Sequence, residues 1–332
     1  MIRLATYNVE WFTELFDDAA NIMEDDRWSR RHNVTRRQQL AAIGRVMSAL
    51  DADGIMIIEA PDAHKRRSGT DALEAFAAQY GLRQRRALMG FINQTQQEIA
   101  FLYDPDVLTA RHDPVGDPAF DQSFQIDLDV DAAPETVRWS KPPLELAVET
   151  ASGQRLRLIG VHAKSKAPHG ATSSADAMRI AIENRRKQLA QCIWLRQRVE
   201  AHLEAGEDLV VLGDFNDGPG LDEYEKLFGR SGVEIVIGAP GAPQLYDRHA
   251  DMVISRTLGA MPASARFWMS EDRRWMSTLL DYVMVSPGLR AKARNWRIWH
   301  PFDDAECWQD DVMRDALLTA SDHFPVTVDL DL

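Results

Sequence analysis

The sequence predicts an α/β fold with two packed sheets and helices on the outside. Three observations carry that expectation. Apolar runs of strand length outnumber the helical patterns. The helical patterns fall between strands rather than in a block of their own. No linker or shift in composition divides the 332 residues. A single domain over 1–332 is therefore expected, although a soft prior of about 150 residues per domain would allow two.

Residues 2–9 alternate as a strand, and residues 13–33 form a long polar connection. Thr35-Arg36-Arg37-Gln38 fits a capping box, with the Thr side chain on the Gln amide and the Gln reaching back. Leu40, Ile43, Val46, Met47 and Leu50 follow at helical spacing. Gly54 opens the buried run Ile55-Met56-Ile57-Ile58, which ends at Glu59. Residues 71–80 read as a helix stopped by Gly81. Strands are expected over 98–103, 144–149 and 156–162. Ser173 or Ser174 starts a long helix to about Leu203. A buried strand, 208–212, leads into Gly213-Asp214-Phe215-Asn216, and strands at 280–285 and 325–330 complete the chain. The stretches 112–143 and 238–277 are rich in Pro, Gly and Asp and read as irregular.

Composition narrows the function. Apolar residues make up 45% and charged residues 27%, as in ordinary globular proteins. Lys+Arg is 38 and Asp+Glu is 51, a net charge of −13. That argues against coating nucleic acid through a generally basic surface, while a nuclease with a local basic cleft stays open. Two cysteines, Cys192 and Cys307, exclude a disulfide-rich scaffold and a Cys-only zinc site. No apolar run approaches the roughly 18 residues of a membrane span, and the N-terminus has no signal-like segment, so a cytoplasmic protein without a membrane partner is expected. The charge favours solubility and leaves the oligomeric state open.

The chemistry is positional. Several apolar strands end at a carboxylate, amide or imidazole: Asn8 and Glu10, Glu59, His162, Asp214 and Asn216, Asp281, and Asp322 with His323. Taken singly, each suits a turn, a cap or a core histidine. Together, converging strand ends would gather hard oxygen donors and two imidazoles, a set that suits Mg²⁺ or Mn²⁺ rather than a thiolate-selected metal.

This set and its order resemble the endonuclease/exonuclease/phosphatase superfamily of metal-dependent phosphoesterases. The matching stretches are Tyr7-Asn8-Val9-Glu10, Ile58-Glu59, His162-Ala163-Lys164-Ser165, Gly213-Asp214-Phe215-Asn216, Leu280-Asp281-Tyr282 and Ser321-Asp322-His323-Phe324-Pro325. They run from the first strand to the last. The resemblance implies a four-layer α/β/β/α sandwich of two mixed sheets. Two departures stand out. Ile58 occupies a position that is often Gln, and Glu10 replaces a frequent Asp, one methylene longer.

By that resemblance, Glu59 is the main metal ligand, with Asn8, Glu10 and Asp322 in support, for one or two ions of Mg²⁺ or Mn²⁺. Asp214 positions or deprotonates the attacking water. Asn216 and His162 donate to developing charge on the phosphoryl oxygens. His323 pairs with Asp281, which fixes its tautomer. Whether Asp214 or His323 is the base stays open at this level.

Flanking residues point to phosphate contacts. Lys164 and Lys166 follow His162. In the long helix, Met178, Ile182, Leu189, Cys192, Val199 and Leu203 mark an apolar stripe, and Arg185 falls on it. An Arg there is either a structural ion pair or a phosphate or carboxylate clamp. Arg27-Trp28-Ser29-Arg30-Arg31-His32, Trp268 and Arg273-Arg274-Trp275 mix rings and guanidiniums, as base-stacking surfaces and ordinary loops both do. The expected function is a Mg²⁺- or Mn²⁺-dependent phosphodiesterase acting on a phosphoester substrate, DNA or RNA among the candidates. The alternatives are a phosphomonoesterase acting on a small metabolite or lipid headgroup, and a non-catalytic binding module.

Overall fold

The protein is described by a computed structural model covering residues 1–127, 134–168, 170–220, 229–255, 261–269 and 273–332. Along the chain run β1 (Ile2–Asn8), α1 (Arg36–Leu50), β2 (Gly54–Ala60), α2 (Gly69–Gln79), β3 (Arg86–Met89), β4 (Glu98–Tyr103), β5 (Leu108–His112), β6 (Phe124–Ile126), β7 (Glu135–Val137), β8 (Leu144–Thr150), β9 (Arg155–His162), α3 (Ser174–Glu204) and β10 (Leu209–Asp214). Then follow α4 (Gly232–Ile237), α5 (Arg248–Ile254), β11 (Ala265–Met269), β12 (Arg274–Thr278), β13 (Asp281–Val285), α6 (Pro287–Arg290), β14 (Ala293–Ile298), α7 (Ala305–Gln309), α8 (Asp311–Ala320) and β15 (Val326–Leu330).

Two mixed sheets dominate. One has the order β14-β15-β1-β2-β4-β3, the other β13-β10-β9-β8-β5. Each contains one parallel pair, β1 with β2 and β9 with β10, and is otherwise antiparallel. A parallel pair needs a long crossover, and α1 and α3 supply the two. The sheets pack face to face, with β1 and β2 against β9, β10 and β13. Gly160 on β9 leaves the room that Met56 of β2 and Ile99 of β4 fill.

This layering explains the apolar run Ile55–Ile58. Both faces of β2 are covered, so all four side chains are buried rather than every second one. Each fully buried aliphatic side chain contributes about 1.5–3 kcal/mol over exposure. α1 is entered through the expected box: Thr35 accepts from the Gln38 amide and the Gln38 side chain accepts from Thr35. Its residues Leu40, Ile43, Val46, Met47 and Leu50 join the core.

The differences from expectation have physical causes. α2 begins at Gly69 because Ser68 caps it, accepting from the Asp71 amide. The edge strands β3, β5 and β14 have half-exposed patterns, so they carry little apolar periodicity. The supposedly irregular stretches hold the β6–β7 and β11–β12 hairpins and α5. The stripe read on α3 is shifted. Met178 is exposed, and the buried face carries Asn184, Arg185, Gln188, Gln191, Arg196 and Arg198 beside Cys192, Leu195 and Val199. Among the described residues no helix is long and apolar enough to cross a membrane.

Candidate active site

The two parallel pairs point their C-terminal ends to the same edge. Asn8 ends β1, Glu59 lies near the end of β2, His162 ends β9 and Asp214 ends β10. β13 runs antiparallel to β10 and brings its first residue, Asp281, to that edge. β15 runs antiparallel to β1, so the preceding Ser321-Asp322-His323 turn arrives there too. His162, Asp214 and Asp281 form one row of direct Cα partners across three strands. Gly213 makes this row possible. At its φ of 142° a Cβ would collide with the Val161 backbone on the neighbouring strand.

The connecting loops are strained. Glu10, Trp11, Glu59 and Asn216 all have positive φ, at 45°, 57°, 60° and 51°. Such left-handed non-glycine residues cost about 1 kcal/mol or more each and cluster at functional sites. Glu59 is the extra residue of a bulge, since β2 and β4 pair Ile58 with Ile99 and Ala60 with Glu98. The bulge re-aims its side chain out of the ladder, and the Trp11 amide donates to its Oε2 at 2.8 Å.

Asp214 is the hub. Its Oδ2 accepts from Asn8 Nδ2 at 3.0 Å and Asn216 Nδ2 at 3.2 Å, and its Oδ1 from the Asn216 amide at 2.7 Å. Burial, with Asp281 adding to it, pushes this carboxyl up to about 7 against the opposing effects of His323, the Asn216 amide and Lys141. Asp281 Oδ2 lies 2.8 Å from His323 Nδ1 and accepts from Ser264 Oγ at 2.8 Å. Burial alone would lower the His323 imidazole, but Asp281, Asp214 and Asp322 outweigh it and hold the ring well above its usual value. His162 goes the other way. Burial, reinforced by Lys141 and His323, keeps it neutral well below its usual value. Its Nε2 lies 2.9 Å from Lys141 Nζ and 3.7 Å from Asp214 Oδ2. Burial lowers Lys141 to about 8, although Glu59 and Asp214 act to raise it.

A model of the Endonuclease/Exonuclease/phosphatase family covers residues 5–323. The chain belongs to this family.

Two solved structures illustrate the endonuclease/exonuclease/phosphatase fold over the full chain. D. rerio TDP2, humanized by 14 mutations, has a TM-score of 0.51 and 11% identity, covering 99% of this chain and 98% of that one. Caenorhabditis elegans TDP2 has a TM-score of 0.51 and 12% identity, covering 98% and 74%. Likeness at these identities concerns the fold. No curated protein matches the sequence. Members of the family are hydrolases acting on phosphoesters.

The structure gives the other sequence candidates the following partners. Glu10 turns to Arg31, with which it pairs, and its Oε2 accepts the Asp322 amide at 3.1 Å. Arg31 also donates to the Leu318 carbonyl at 2.9 Å, and Gln39 reaches the carbonyls of Glu10 and Ala320 at 3.3 and 3.1 Å. The extra methylene of Glu10 thus serves a brace between the β1 loop and the Ser321-Asp322-His323 turn. Lys164 donates its amide to Gln191 Oε1 at 2.9 Å and is half-buried. Lys166 Nζ sits 2.5 Å from buried Asp217 Oδ1. Arg185 is buried on α3 between Asn184 and Gln188.

Sequence reasoning missed four residues. Lys141 precedes Pro142-Pro143 in a stretch read as irregular, so only its charge beside a strand start could have flagged it. Ser264 holds Asp281 from the β11 side. Gln188 donates to the carbonyls of Lys164, Phe215 and Asn216 at 2.9, 3.1 and 3.0 Å, and Gln191 reaches Arg138 O at 3.2 Å. The buried amide face of α3 is therefore a frame for the loops that follow His162 and Asp214.

The donor chemistry fits a hard divalent cation. Glu59, Asp322 and the Asn8 carbonyl oxygen are oxygen donors at one edge, suited to Mg²⁺ or Mn²⁺. Asp214, Asp281 and His323 also offer donor atoms within 4.8 Å of one another. Among the described residues, buried Asp281 Oδ1 and His162 Nδ1 have no hydrogen-bond partner, as expected of atoms that face a substrate, water or ion.

Proposed function

We propose that the protein is a Mg²⁺- or Mn²⁺-dependent phosphodiesterase with nuclease-type chemistry. The observation that carries this reading is the Asp214 carboxyl, raised to about 7 and set beside the cationic His323–Asp281 pair. A base poised near neutrality and a cationic donor fixed by its own carboxylate are what in-line attack of water on a phosphoester requires.

The residues divide the work. Asp214, oriented by Asn8 and Asn216, accepts a proton from the attacking water. His323 keeps its proton through Asp281, and its Nε2–H faces the developing charge on a phosphoryl oxygen. Asn216 helps fix the same corner through Ala163 O at 3.1 Å. Neutral His162 and Lys141 form the other wall, with Lys141 as the phosphoryl-holding charge. The P–O bond to the leaving group breaks opposite the incoming water. Glu59, with Asn8 and Asp322, would hold the cation, and Glu10 braces the turn that carries Asp322. When bound, Mg²⁺ or Mn²⁺ supplies positive charge to the phosphoryl oxygens.

The charge balance favours a diester. Glu59, Asp214, Asp281 and Asp322 already crowd the edge, and a diester brings one negative charge where a monoester brings close to two. The test is hydrolysis of bis-p-nitrophenyl phosphate against p-nitrophenyl phosphate with Mg²⁺, Mn²⁺ or EDTA. Metal-dependent preference for the diester is expected. Preference for the monoester would move the substrate class to phosphorylated metabolites.

A further inference from the structure

The β11–β12 hairpin and the α7–α8 segment share a surface that the catalytic reading leaves unused. Trp268 and Trp275 are cross-strand partners, with ring centroids 5.6 Å apart. Arg266 lies over the Trp275 ring at 5.0 Å and over the Phe302 ring at 4.7 Å. Phe302 meets Trp308 at 6.2 Å, and Arg314 lies over Trp308 at 5.0 Å. The result is a ladder of rings and guanidiniums across two elements distant in sequence. Its rings face solvent: Trp268 is 50% exposed, Trp275 55%, Phe302 37% and Trp308 53%.

The ladder starts at the active site. Ala265 bridges His323, and the Arg266 amide donates to the Asp322 carbonyl at 2.7 Å. Ser264, one residue earlier still, holds Asp281. A ligand on these rings is therefore continuous with the catalytic edge.

We propose that this ladder is a base-stacking platform for a single-stranded nucleic acid whose scissile phosphate lies at the Asp214–His323 edge. Exposed rings interspersed with planar guanidiniums offer π-faces to successive unpaired bases, whatever their identity. The surrounding charge argues against a duplex. Exposed Asp303, Glu306 and Asp311 border the rings and pair with His300, Arg297 and Arg314, so the rim offers little free positive charge to the two phosphate rails of paired strands. A single strand can turn its bases to the rings and its phosphates to solvent. Contiguous exposed aromatic surface of this kind marks an interaction site.

This inference rests on the phosphodiesterase reading, and the experiment separates the two. Fluorescein-labelled oligo(dT) and oligo(U) 12-mers are titrated in EDTA with wild type, Trp275→Ala and Trp308→Ala, with a 12-base-pair duplex as comparison. Turnover of bis-p-nitrophenyl phosphate with Mn²⁺ is measured on the same proteins. Single strands are expected to bind more tightly than the duplex, and each variant to weaken them roughly tenfold, with small-diester turnover within twofold of wild type. The two oligonucleotides report whether DNA or RNA is preferred. Unchanged oligonucleotide binding in both variants overturns the platform while leaving the phosphodiesterase reading intact. Tighter duplex binding overturns it too, as does self-association that both variants abolish, which would assign the rings to a second copy of the chain. Loss of small-diester turnover in wild type itself would instead overturn the reading beneath it.

Discussion

Asp214 and Asp281 are direct Cα partners across antiparallel β10 and β13, so two buried carboxyl groups occupy one corner of the sheet. Their environments separate them. Asp281 receives Ser264 Oγ and His323 Nδ1, each at 2.8 Å. Asp214 is pushed up to about 7 by burial and by Asp281 itself. Divergent environments for neighbouring carboxyl groups are how a site assigns one to proton transfer and the other to holding charge.

Asp281→Asn tests that division. Without the Asp281 charge and hydrogen bond, the His323 pKa falls, because burial is then opposed only by Asp214 and Asp322. Diester turnover at pH 7.5 should drop by about 10²- to 10³-fold, with the thermal midpoint near that of wild type. NMR titration of His323 should follow the fall. Wild-type turnover would remove His323–Asp281 from the chemistry.

The pH profile follows from two groups. Asp214 must be ionised, so activity should rise through about pH 7. Lys141 must be protonated, so activity should fall above about pH 8. Lys141→Met should abolish the alkaline limb. It should also move the acid limb upward, because losing a nearby positive charge raises the Asp214 pKa. Measuring kcat/KM against pH for both proteins checks both movements, and an unchanged alkaline limb would exclude Lys141.

The sequence made the strand-end chemistry legible because a strand's last polar residue is visible against its apolar run, as at Ile55–Ile58 before Glu59. The core of α1 was legible through its 3.6-residue period. What escaped was polar burial. Gln188 and Gln191 look like surface amides in one dimension, and only the fold brings the Lys164, Phe215 and Asn216 carbonyls to Gln188 and the Lys164 amide to Gln191. Lys141 escaped because its partners, Glu59, His162 and Asp214, arrive from other strands. Glu10 could be seen as a carboxylate at the right place, but its turn toward Arg31 depends on long-range packing.

Gln188→Ala should loosen two catalytic loops together. Three backbone carbonyls lose a shared donor, a loss on the order of 1–3 kcal/mol. Urea unfolding should show a lower midpoint with an unchanged slope, and diester turnover should fall even at temperatures where the protein stays folded. Turnover equal to wild type would make the α3 frame a matter of stability alone.

Glu98 predicts a pH-dependent stability. Burial pushes this carboxyl up to about 7, with Asp62 adding to the effect and the Asn93 amide opposing it. The protonated form is favoured in the folded state. Its contribution is therefore fully present below the unfolded value near 4.5 and is lost as pH rises through about 7. Glu98→Gln should flatten the decline in stability between pH 5 and 8 by on the order of 2 kcal/mol. Buried Glu145, also raised to about 7, should leave a residual slope. Parallel stability–pH curves for the two proteins would show that Glu98 is ionised in the folded state.

The most direct test of the central claim is Mn²⁺-dependent hydrolysis of bis-p-nitrophenyl phosphate by wild type and by Asp214→Asn, with thermal midpoints recorded for both. Asn keeps the size of the side chain and removes the basic oxygen. The prediction is metal-dependent turnover in wild type and a loss of about 10²- to 10⁴-fold in a folded Asp214→Asn protein. Turnover within a few-fold of wild type in that variant would contradict the assignment of Asp214 as the base on which this site is built.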